Sequence, residues 1–192
     1  MIQPAHKVTP FIWFDDQAEE AANLYVSLFE NSRIIEIARW SEGAPFPAGS
    51  AMSATFELDG RQFIAFNGGP HFKQTEAFSM FVSCEDQAEV DRYWHAFIDG
   101  GGQAGQCAWL KDKFGVSWQI VPQALGRLIS DPDAERSARA MKAMMQMTKI
   151  DVAALERAAA GQLSTANCRL KPTPKEPCRM GEKHMMNPVV HF

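Results

Sequence analysis

The sequence predicts an α+β fold: two tandem βαβββ modules followed by C-terminal helices. Three observations carry this expectation. A strand–helix–strand order runs from Lys7 to Phe66 and restarts at Phe78. The quartet Asp-Gln-Ala-Glu occurs at 16–19 and again at 86–89, each time where a strand hands over to a helix; an internal repeat explains that better than chance. Between two β-rich runs lies Asp59-Gly60, the strongest short signal for a hairpin.

Each element follows from its residues. Lys7 to Phe14 is rich in β-branched and aromatic residues, which predicts a strand. Asp16, with Glu19 three residues on, reads as a capping box that opens a helix. Ala21, Leu24, Tyr25, Leu28 and Phe29 then recur at the spacing of one helical face. Ile34 to Trp40 predicts a strand, Ser41 to Gly49 a Gly/Pro-rich loop, and Met52–Leu58 and Gln62–Phe66 the arms of the hairpin. In the second unit Phe78 to Cys84 is the strand, Asp86 the helix cap with Glu89 behind it, and Val90, Tyr93, Trp94, Phe97 and Ile98 the apolar face. Gly100-Gly101-Gly102 ends that helix. Trp109-Leu110 and Val116–Val121 follow as strands, and the strand directly after the helix has no clear signature. Further helices are expected from Ser130-Asp131-Pro132 and from Asp151 to Ala160. The boundaries expected are about 7–70 and 76–122 for the modules and about 131–160 for the C-terminal helices, within a domain of 1–161. The segment 162–192, with four prolines and five Lys/Arg against two Glu, predicts a disordered basic tail.

Composition narrows the function. A net charge of −4 argues against a nucleic-acid partner. No run of 18 apolar residues predicts a membrane span, and Met1 to Lys7 lacks the apolar core of a secretory signal. Cys84, Cys107, Cys168 and Cys178 are scattered, which suits reduced thiols in a cytoplasm. His184 and His191 are too irregularly spaced from Cys168 and Cys178 for a zinc finger, and His95 reads as a surface residue. His71 follows Asn67-Gly68-Gly69-Pro70, where it is either a loop residue in solvent or a group at a cavity mouth.

Three segments, TPFIWFDDQAEEAANLYVSLF (9–29), FIAFNGGPHF (63–72) and CAWLKDKFGVSWQIVP (107–122), resemble the PhnB-like branch of the vicinal oxygen chelate superfamily, the glyoxalase and bleomycin-resistance proteins. The resemblance extends over roughly 7–160. Members of this branch often carry a demethylubiquinone methyltransferase label. The resemblance implies a half-barrel from each module, closing over one cavity, and a homodimer in which Trp40 and Phe46 are contact residues. The family's enzymes hold a metal on the first and last strands of each module. Those positions fall here on Thr9, Asn67, Ser79 and Gln119. Such a set is too weak for a divalent ion, so neither metal nor cofactor is expected.

Strand alternation extends the site. With Thr9 inward, Phe11 and Trp13 follow it, while Val8, Pro10, Ile12 and Phe14 turn to the helix layer. Ser79 and Phe81 point inward in the second module, Met80 and Val82 away from it; Gln119 inward sends Trp118 and Ile120 to the helices, and Trp109 is the nearest further aromatic. These eight residues either line a small-molecule pocket with aromatic walls or simply fill a core. Three functions stay open: a small-molecule binding protein, a metal-independent enzyme on a small organic substrate, and a methyltransferase. The last lacks the Gly-rich turn between a strand and a helix that a nucleotide-type cofactor needs.

Overall fold

The computed structural model describes residues 7–162. Its elements run β1 (Phe11–Phe14), α1 (Ala18–Leu28), β2 (Arg33–Arg39), β3 (Ala51–Leu58), β4 (Arg61–Asn67), β5 (Ser79–Cys84), α2 (Gln87–Asp99), β6 (Gln103–Ala104), β7 (Trp109–Lys111), β8 (Ser117–Pro122), α3 (Gln123–Ile129), α4 (Ala134–Met144) and α5 (Val152–Ala159). The two modules have the same topology. The first sheet is ordered β1-β4-β3-β2 and the second β5-β8-β7-β6. In each, the first strand lies parallel to the last strand, and the remaining pairs are antiparallel. The strand that the sequence left unplaced is β6, only two residues long.

Local chemistry sets the junctions. Asp59 and Gly60 have φ of 46° and 71°, the left-handed pair that a type I′ hairpin requires. Asp86 caps α2 by accepting from the Glu89 N–H at 2.9 Å, and the Glu89 carboxylate returns to the Glu85 N–H at 2.7 Å. The expected cap of α1 is different. Asp16 makes no such bond; Gln17 occupies the N-cap without a side-chain bond, and Asn67 Oδ1, from β4, accepts from the Ala18 N–H at 2.8 Å. Past β8 the chain enters α3 directly, a helix with no forecast. Asp133 caps α4 and Asp151 caps α5. These three helices form a second small core around Leu125, Leu128, Ile150 and Leu155.

The main core joins the modules through their helix sides. Ile12, Phe14, Ala54, Phe56 and Ala65 from the first sheet share one buried cluster with Met80, Trp118 and Ile120 from the second, around Tyr25, Tyr93, Trp94 and Phe97. α1 lies between the two: Tyr25 packs on Phe56 of β3 and on Trp118 of β8, and Phe29 stacks on Tyr93 at 4.8 Å. This arrangement corrects one expectation. The sheets do not close over a common cavity within the chain; their other faces point away from the shared core. Val8 and Pro10 are also exposed rather than turned to the helices. Among the described residues no helix is long and apolar enough to cross a membrane. The expected basic tail, with Cys168, Cys178, His184 and His191, lies outside the described residues.

Candidate functional site

The outward face of the first sheet is aromatic. Pairing of β1 with β4 sets Trp13 beside Phe66 and Phe11 beside Ile64. Ile12 and Phe14 take the opposite face and are buried, so Phe11 and Trp13 are left outward, with Phe11 53% exposed. The Phe66 ring lies 5.5 Å from Phe11 and 5.4 Å from Trp13, and Trp13 meets Phe72 edge-on at 5.0 Å. Trp40 continues the row from Phe66 and stacks on Phe46 at 4.9 Å. Trp40 and Phe46, expected only as contact residues, thus belong to the same aromatic surface. Phe66 and Phe72 had gone unmarked in the sequence; the parity counted outward from the Asp59-Gly60 turn would have placed Phe66 here. Trp13 donates its indole hydrogen to the Gly69 carbonyl at 2.8 Å. Its ring lies so close to the chain that a Cβ on Gly68 would fall 2.0 Å from it.

The outward face of the second sheet is mixed. One cross-strand row is Phe81–Gln119–Trp109, the next Ser79–Ser117–Lys111–Gln103. Phe81 is 61% exposed. Gln119 Nε2 donates to Ser79 Oγ at 2.9 Å. Thr9 lies just before β1 and is half-buried. Of the eight residues the sequence marked, Phe11 and Trp13 share the first face, and Ser79, Phe81, Trp109 and Gln119 share the second.

Asn67 departs from the set. It pairs with Phe14 and so faces the helix layer. Its amide donates to the carbonyls of Asp16 at 3.1 Å and Ala51 at 3.0 Å while its oxygen caps α1. This side chain fastens the start of α1 to the sheet and is turned from the outward face.

The positions mapped for the family's metal carry weak donors among the described residues. The mapped oxygens and nitrogens are hydroxyls and amides, and among the described residues no three of His, Cys, Asp and Glu converge. His71 is exposed on its loop, and His95 stands on the surface beside Asp99. A methyl-donor cofactor fares no better. The junctions into α1 and α2, Asp15-Asp16-Gln17 and Glu85-Asp86, carry acids and no glycine, unlike the Gly-rich turn that approaches a nucleotide-type cofactor.

Two perturbed groups, Asp112 and Cys84, lie in the core. Burial pushes the Asp112 carboxyl above the usual range, against the pull of its hydrogen bonds to Tyr25, Trp118, Val116 and Phe114. Those four donors satisfy both oxygens and leave none for a substrate. Burial also pushes the Cys84 thiol up to about 12, which keeps it protonated and unreactive.

Comparison with known proteins finds one matching family model and several similar solved structures. The family model described as 3-demethylubiquinone-9 3-methyltransferase matches residues 6–121. The PhnB protein of Bacillus cereus is 36% identical, with a TM-score of 0.56; the match covers 61% of this chain and 99% of that one. A protein from Staphylococcus aureus is 32% identical over 61% of this chain and 96% of its own, with a TM-score of 0.29. A glyoxalase/bleomycin resistance protein from Albidiferax ferrireducens is 12% identical over 57% and 92%, with a TM-score of 0.40. No functionally curated protein matches the chain.

Proposed function

We propose that this chain, which belongs to the PhnB-like 3-demethylubiquinone-9 3-methyltransferase family of the vicinal oxygen chelate superfamily, binds a small aromatic or hydrophobic molecule and needs no metal to do so. The observation that carries this reading is the pair of outward sheet faces. Phe11, Trp13, Phe66 and Phe81 are placed by strand pairing, and Phe72 by its edge contact with Trp13, yet all remain outside the core. A monomer seldom leaves such aromatic surface to water without a use for it. Beside them stand neutral hydrogen-bonding groups, Ser79 and Gln119, in the proportion usual for a small-molecule site: apolar area for affinity and few polar groups for orientation. Binding is favoured over catalysis because the strongly perturbed groups are used structurally, and over methyl transfer because neither helix entry offers a glycine turn.

The working form is a homodimer. β1 and β5 are sheet edges, each paired on one side only among the described residues, and open edges invite another strand. A second copy laid along them would cover Phe11 and Phe81 and turn each open face into a pocket wall. The free thiols of Cys84 and Cys107 suit a cytoplasmic setting.

A fluorescence screen against planar aromatic and quinone-like compounds tests the reading. Binders should quench tryptophan emission, and Trp13→Ala and Gln119→Ala should each weaken them. A broad screen without a binder, together with a Trp13→Ala variant destabilised by about 3–5 kcal/mol as in a packed core, would leave these rings as core alone. Light scattering at micromolar concentration should give twice the chain mass, and elemental analysis should give no stoichiometric divalent metal.

A further inference from the structure

Ser117 is 1% exposed, and its hydroxyl has no hydrogen-bond partner among the described residues. Buried hydroxyls are nearly always satisfied, so this one marks a position where a partner arrives from elsewhere. It lines a pocket of about 220 Å³ on the outward face of the second sheet, together with Lys111, Glu76, Trp109 and Gln103. Strand register sets Lys111 directly beside Ser117. The Lys111 ammonium is held at 2.5 Å by the carboxylate of Glu76, a residue of the linker between the modules, with its own side chain 63% exposed. Lys111 also lines the neighbouring pocket of about 320 Å³, whose walls include Trp13, Phe72, Lys73 and Lys113. It is thus the residue at which the aromatic face of the first module and the polar row of the second meet.

We infer that this pocket recognises a carboxylate: the ligand is an aromatic acid whose carboxylate binds Lys111 and Ser117 while its ring lies against Trp109. The inference rests on the small-molecule reading above and names its ligand class. Glu76 shows the chemistry in place, since a carboxylate from an exposed side chain already occupies the ammonium. A ligand acid that displaces it keeps the charge pair and adds the Ser117 hydroxyl as donor, a contact that Glu76 does not make. Lys73, with no ion pair among the described residues, adds positive potential nearby. Further acids on the outward surfaces are Asp15, at the rim of the second pocket, Glu36 on β2, and Glu57 on β3, which Arg33 pairs at 2.9 Å. A charge-assisted bond in a partly dry pocket is strong enough to distinguish an acid from its neutral isostere.

Calorimetry with 2-naphthoate and its uncharged counterpart 2-naphthamide tests this. The intact protein should bind the acid at least about tenfold more tightly than the amide. Lys111→Met should reduce acid binding about 10- to 100-fold, to the level of the amide. Glu76→Gln should tighten acid binding, because the internal competitor is gone. Ser117→Ala should raise the melting temperature, since an unsatisfied hydroxyl leaves the interior, and yet weaken the acid several-fold; a purely structural Ser117 would raise stability and leave binding alone. Equal binding of acid and amide in the intact protein overturns the inference. If both bind and Trp13→Ala abolishes both, small-molecule binding stands and only acid recognition falls. If Glu76→Gln leaves acid binding unchanged or weakens it, Glu76 is not the competitor and the assignment of Lys111 is wrong.

Discussion

Tyr25 on α1 donates its phenolic hydrogen to Asp112 at 2.6 Å, and this one bond links the helix of the first module to the β7–β8 turn of the second. The same carboxylate takes the Trp118 indole hydrogen at 3.0 Å and the N–H groups of Phe114 and Val116. It holds a buried turn and an inter-module contact together. Tyr25→Phe removes one donor to a buried charge and should lower stability by about 1.5–3 kcal/mol in urea unfolding. The sign with pH is fixed. Burial raises the folded pKa of Asp112 above its unfolded value, so ionisation opposes folding and its cost builds as pH rises through the folded pKa. The Tyr25 hydroxyl relieves that cost only for the ionised form. The deficit of Tyr25→Phe should therefore be larger at neutral pH than at acid pH. A deficit that grows toward acid would show that the bond does not favour the carboxylate.

Gly68 owes its identity to Trp13. A Cβ there would fall 2.0–2.6 Å from three atoms of the indole, far inside contact distance, so Gly68→Ala must push the ring out of place. Overpacking of this kind costs about 1–3 kcal/mol. Trp13 would also lose its bond to the Gly69 carbonyl. The expected outcome is a modest fall in melting temperature and a large loss of the aromatic quenching signal. If quenching persists unchanged, Trp13 is not part of the binding surface.

Gln87 ties the C-terminal helices to the second module. Its amide donates to the Ile150 carbonyl at 3.1 Å and accepts from the Val152 N–H at 2.8 Å, so it spans the start of α5. Gln87→Ala leaves two backbone groups short of partners and should cost about 1–3 kcal/mol. Nearby, Lys149 bonds Asp91 and holds its carboxyl below the usual range. That contribution is present above the unfolded pKa and fades as pH falls through the folded one. Hydrogen exchange should report faster opening of α5 in the variant, with the sheets unchanged.

The sequence carried the repeat and the strand parity well because both are local. Ile12, Phe14, Trp118 and Ile120 fall on the helix side as alternation requires, and Phe11, Trp13, Phe81 and Gln119 on the other. What it did not carry is non-local. α3 has only seven residues and follows β8 without a break, so no turn announces it. The mutual packing of the modules depends on Tyr25 meeting Trp118 and Phe29 meeting Tyr93, partners that no local pattern pairs. Ser117 and Lys111 become a site only through the β7–β8 register and through Glu76, which arrives from the linker.

Asn67 shows how a one-residue slip changes a role. Counted as the end of an inward row, it reads as a ligand group; paired with Phe14, it turns to the helix side. There its oxygen serves the Ala18 N–H at 2.8 Å, in place of the cap expected from Asp16, and its nitrogen serves two carbonyls from different segments. Asn67→Ala therefore removes a helix cap and leaves buried backbone groups unpaired. Loss of a cap alone costs about 0.5–2 kcal/mol, and each orphaned group adds to it. Asn67→Asp should recover part of the loss, because a carboxylate still accepts from Ala18 at the positive end of α1, though it cannot donate to Asp16 and Ala51. The order of stability expected from thermal unfolding is Asn67, then Asp, then Ala. Ligand affinity, measured well below the melting temperature of each variant, should stay within about twofold throughout. Affinity that falls in Asn67→Ala while stability holds would return this residue to the binding surface.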